Sequence, residues 1–213
     1  MRFAESLSEG LVLVTDNETM EKLVKSVIIK DGLRQKIIGE LQGSSRRARQ
    51  TAAHVIGGVA KQKPEVLVPY ADDLVDALNR PEAQTRWECL DALTEIVAVD
   101  SRACDKAIPG AEASLFDESN SMVRLSAMRF LCRLGATTEN RSEKTWPLID
   151  EGIQCYHGDL GFQEMLNAVI GFSEGKLSDQ VKQELKERMA FDAKNGKGAL
   201  KARASQIIEN LSN

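Results

Sequence analysis

The sequence predicts an all-α chain built as a stack of helix pairs. Three observations lead there. The 213 residues are 42% hydrophobic but only 5% aromatic, so the apolar material is mostly Ala, Leu, Val and Ile. Closely packed helices favour such residues, whereas sheets favour aromatic and β-branched ones. Only five prolines interrupt the chain. Finally, an apolar motif returns about every 38 residues, and a fixed period of that length marks a repeat architecture.

The motif is carried by 49–56 (RQTAAHVI), 86–93 (RWECLDAL) and 124–131 (RLSAMRFL), with weaker copies at 163–170 and 201–208. Its anchors are Ala52, Cys89, Ala127, Leu166 and Ala204, at successive spacings of 37, 38, 39 and 38 residues. From each anchor, apolar residues follow at +3 and +4, the stripe of an amphipathic helix. Most anchors are small, as a closely approaching neighbour helix requires.

Element by element, residues 1–17 read as an arm or as the start of the first helix, with Leu11 to Val14 as their apolar stretch. Residues 18–30 read as a capping helix. Five helix pairs then occupy about 31–211, so that 18–213 form a single domain. The first helices of the later pairs fall at 64–78, 101–116, 142–156 and 178–191. Ser101, Ser142 and Ser178 stand where N-caps are expected, and Pro64 stands just inside its helix. Pro69, Pro109 and Pro147 sit inside the first three, where each should bend its helix. Turn residues Asn79 to Pro81, Asp117 to Asn120, and Gly158 with Asp159 fill the links. The polar end of the chain, 209–213, suits a terminal repeat.

The stretch 117–135 carries a further likeness. Asp117 lies in the turn, Val123, Arg124 and Ala127 open the second helix, and Leu131, Leu134 and Gly135 close it. This pattern resembles the HEAT repeat, and the resemblance extends over roughly 31–211. It implies a right-handed α-α superhelix, a HEAT/ARM-like solenoid whose second helices line a concave face. The resemblance also accounts for the prolines of the first helices. It departs at Gln163 and Cys89, which replace the basic and alanine positions.

On that geometry, the outward positions of the second helices are candidates for partner contact. They include Arg47, His54, Trp87, Asp91, Met122, Leu125 and Arg129. The strip is mixed in sign and carries Trp87, Met122 and Leu125, the apolar anchors that protein contacts favour. Arg49, Arg86 and Arg124 lie at the core edge instead, where an arginine is expected to tie adjacent repeats through an acidic partner. Arg46, Arg47 and Arg49, with Lys61 and Lys63, form the one basic cluster.

Several chemistries are disfavoured. Net charge is -4, which argues against binding nucleic acid through overall charge. The four cysteines form no Cys-x-x-Cys pair and only two histidines occur, so no metal site or other cofactor is expected, and the thiols read as buried. Residues 171–178 imitate a phosphate loop but follow a helix where a strand is needed. Cys155 and His157 are two residues apart and point different ways on a helix. HEAT-repeat deoxyhypusine hydroxylases use His-Glu pairs, and this chain has none. The expected function is a non-catalytic scaffold presenting its concave face to a protein partner, in the cytoplasm and not in a membrane. A second copy of the chain is a further candidate for the apolar strip. The alternative is a nucleic-acid-binding or repair protein of the HEAT-like DNA glycosylase type, with Trp87, Asp91 and Arg129 in its cleft.

Overall fold

A computed structural model describes residues 17–212. The expected arm, residues 1–17, lies outside the described part except for Asn17, which opens the first helix. The described chain is helical throughout, without a strand. Its packing groups it into two compact units that divide after Gly110.

The first unit contains α1 (Asn17–Ile29), α2 (Asp31–Glu40), α3 (Arg46–Gln62), α4 (Ala71–Ala77) and α5 (Ala83–Val97). Tight 3-10 segments, Pro64–Tyr70 and Ser101–Ala107, precede α4 and α6 (Ile108–Leu115), and the division falls inside α6. The second unit holds α7 (Ser121–Gly135), α8 (Glu139–Tyr156), α9 (Phe162–Ser173), α10 (Asp179–Asn195) and α11 (Gly198–Asn210). In the first unit α3 packs against α5. In the second, α9 packs against both α7 and α11, and α8 against α10.

The repeat register is visible in the core. Ala52, Cys89, Ala127, Leu166 and Ala204 are all completely buried. The second helices α3, α5, α7, α9 and α11 each contain one anchor. A helix pair cannot cover its own stripe, so the small anchors let neighbouring second helices close over one another.

The first helices differ from expectation. Pro69 ends in a 3-10 turn, and Pro109 is the second residue of α6. Both therefore stand where the next α-helix begins, where a missing N–H breaks no helical hydrogen bond. Only Pro147 lies inside a continuous helix, α8. The caps shift as well. Asp100, not Ser101, caps its segment by accepting from the Arg102 N–H at 3.0 Å. Thr138, not Ser142, caps α8 through the Arg141 N–H. Ser142 is buried; its hydroxyl donates to the Glu139 carbonyl and accepts the Ser178 N–H at 3.1 Å, tying α8 to the start of α10. Ser178 caps α10, as the sequence suggested.

Candidate partner-binding surface

The second helices position most candidate side chains. In the first unit, Arg47 and His54 lie exposed on α3. With Met20, Gln50, Thr51 and Gln84 they line a polar recess of about 290 Å³. His54 Nδ1 meets Glu88 Oε1 at 2.7 Å, joining α3 to α5. Trp87 and Asp91 on α5 are half-buried, so neither stands free of the packing around it.

Beside this face, Arg49 is buried against Glu82. Its Nε donates to Glu82 Oε2 at 3.2 Å and its second terminal nitrogen to Oε1. The remaining nitrogen donates to the carbonyls of Gly43 at 2.7 Å and Ser44 at 3.0 Å. The hydrogen bond from Arg49, reinforced by its charge, holds the Glu82 carboxyl below the usual carboxylate range despite burial. Arg86, one repeat later in sequence, is half-buried on α5.

In the second unit the side chains gather around a groove of about 470 Å³. It lies between the start of α7 and the link that leads from α8 into α9. Met122 and Leu125 supply one wall; Tyr156, Leu160, Phe162 and Met165 supply much of the rest. Leu160 is fully exposed and Met122 is 45% exposed, while Leu125 is half-buried. Gly158, with φ +92°, makes the turn that carries Leu160 out. Arg129 lies apart from the groove, 3.8 Å from Glu164.

Arg124 departs from the tie expected of it. It donates to the Asp117 carbonyl at 2.8 Å, and its guanidinium carbon lies 5.0 Å from the centroid of the Tyr156 ring. A carbonyl and an aromatic face hold it, where an acidic side chain was expected. The Tyr156 phenol donates to the Leu115 carbonyl at 2.8 Å, and burial pushes it above its usual range although Arg124 acts the other way. Sequence reasoning missed Tyr156, Leu160, Phe162 and Met165. One signal was available: Leu160 is a large apolar residue set among the turn residues Gly158, Asp159 and Gly161.

A further expectation is corrected. Cys155 is exposed, whereas Cys89, Cys104 and Cys132 are buried. Burial raises the thiols of Cys89 and Cys132 far above their usual range, so they resist ionisation. Among the described residues no His, Cys, Asp or Glu group is arranged to hold a metal ion. None of the described helices is long and apolar enough to cross a membrane.

No protein-family model matches the chain, and no curated protein is similar to it in sequence. Solved structures are similar in fold. A designed armadillo repeat protein in complex with a (KR)4 peptide superposes with a TM-score of 0.73 at 15% identity, over 97% of this chain and 92% of that one. The chain folds as an armadillo/HEAT-like repeat solenoid. Computationally designed armadillo repeat proteins for modular peptide recognition give 0.72 at 14% identity, over 96% of this solenoid and 98% of that chain. An engineered protein gives 0.72 at 15% identity, over 100% and 97%.

Proposed function

We propose that this solenoid is a non-catalytic scaffold that engages a protein partner through the outward face of its second helices. The observation that carries the reading is the apolar groove of the second unit, with Met122 and Leu160 exposed on it. Large apolar side chains at the rim of a concavity gain most by being covered, and such sites anchor protein contacts. Arg47, His54, Trp87 and Asp91 extend the reading to the first unit. Arg129 and its neighbour Glu164 complete the mixed-charge strip. Peptide recognition by designed armadillo repeat proteins supports the reading by analogy of fold.

The test is affinity capture with mass spectrometry from the native host. Trp87→Ala, and Arg47→Glu combined with His54→Ala, should lose proteins that the wild type retains. Lys144→Ala, an exposed change on a first helix, should keep them. Melting temperatures accompany each variant, so that loss of fold is not taken for loss of contact. An unchanged capture profile in all outward-face variants overturns the reading. Binding to duplex DNA that weakens steeply with salt would favour the nucleic-acid alternative instead.

A further inference from the structure

The second-unit groove constrains its occupant more tightly than the protein-binding reading, on which this inference rests. Three features matter: its size, its exposed apolar rim and one guanidinium.

Ten of the described residues line the groove. A stable interface between folded proteins takes about 20–30 residues a side. The groove is thus too small to hold a second copy of the chain by itself, and its 470 Å³ suits a few side chains of a short segment. Met122 and Leu160 flank it, and Leu125, Phe162 and Met165 form its apolar lining. The segment must therefore bring large apolar side chains.

Charge narrows the choice further. Arg124 also lines the groove and is half-buried, its Nε shielded from solvent. Its partners, the Asp117 carbonyl and the Tyr156 ring, are neutral. An occupant that covers the groove strips water from this cation, which is costly unless the occupant supplies an anion. Asp159 brings a negative charge to the same lining, but it is exposed and can keep its water. The half-buried cation therefore governs the choice.

We infer that the groove takes a short peptide segment that presents large apolar side chains beside a carboxylate, with the carboxylate meeting Arg124.

The experiment uses the full chain and three fluorescein-labelled octapeptides, alternating Leu-Glu, Leu-Lys and Ser-Glu, read by fluorescence anisotropy. Leu-Glu should bind saturably, and the other two at least tenfold more weakly. Leu160→Ser and Met122→Asp, both at exposed positions, should each weaken Leu-Glu about tenfold with unchanged melting temperature. Arg124→Glu should reverse the preference toward Leu-Lys. The inference fails if Leu-Glu does not saturate, if Leu-Lys binds equally well, or if Leu160→Ser and Met122→Asp change nothing. It also fails if sedimentation finds a dimer that Leu160→Ser dissociates, because the occupant is then a second copy. The broader reading is separable. If Trp87→Ala loses captured proteins while the groove variants retain them, the scaffold reading stands and the acidic-peptide assignment falls.

Discussion

A guanidinium taken out of water needs acceptors in place of that water, and Arg49 shows how the chain provides four. Glu82 supplies two acceptors from the start of the next second helix, and the Gly43 and Ser44 carbonyls supply the others. Removing one member of such a pair leaves the other charge buried alone, which costs about 3–5 kcal/mol. Arg49→Met should therefore lower stability by about that amount in denaturant titration. The same pair sets an acid limit. Arg49 holds Glu82 below the usual carboxylate range, so Glu82 stabilises the fold fully above that range. This contribution fades as pH falls through the ordinary carboxylate range toward the lowered value. Acid titration of stability should be steeper for the wild type than for Glu82→Gln. The thiols divide just as sharply. Ellman's reagent should label one cysteine per native chain rapidly, Cys155, and reach the other three only on unfolding. Rapid labelling of a second thiol would mean that the core opens locally.

At the scale of the helices, glycine marks the closest approaches. A methyl group added at Gly175 would lie 2.6 Å from both the Cα and the carbonyl oxygen of Ala136. There the link between α9 and α10 presses on the end of α7, and the Lys176 N–H donates to the Ala136 carbonyl at 2.8 Å. Gly175 belongs to the stretch that imitates a phosphate loop, and backbone packing accounts for it. Gly175→Ala should destabilise the chain by about 1–3 kcal/mol, the usual cost of overpacking, and thermal unfolding measures it. The second helices were legible in the sequence because Ala52, Cys89, Ala127, Leu166 and Ala204 repeat a single packing constraint at a constant spacing. The first helices were less so. Proline position alone does not separate a proline inside one continuous helix from a 3-10 turn followed by a new helix, and Pro147 and Pro69 adopt the two different outcomes. Half of the groove was hidden for another reason. Met122 and Leu125 follow from the facing of α7, but Tyr156, Leu160 and Phe162 arrive from the end of one helix, a link and the start of another. No single periodicity contains them.

For the molecule as a whole, stability should vary along the chain. The central second helices bury most of their apolar residues, including Val55, Ile56, Leu90, Leu93, Phe130 and Leu131. Helix α11 buries only Ala204 and Ile207. Burial of this kind resists local opening, so native-state hydrogen exchange should be slower in α3, α5 and α7 than in α11. Uniform protection from end to end would contradict this picture.

The ties between helix pairs share a sequence separation. Arg49 and Glu82 are 33 residues apart, His54 and Glu88 34, Trp146 and Glu184 38, and Tyr156 and Leu115 41. Each tie thus reaches across about one repeat. Chains whose contacts are close in sequence lose little entropy in forming them and fold quickly. During synthesis, moreover, a segment can dock as soon as its predecessor has formed. The growing chain would need only one further repeat to emerge from the ribosome before the next layer closes, so a stalled or truncated product would carry native, already packed repeats rather than a collapsed coil.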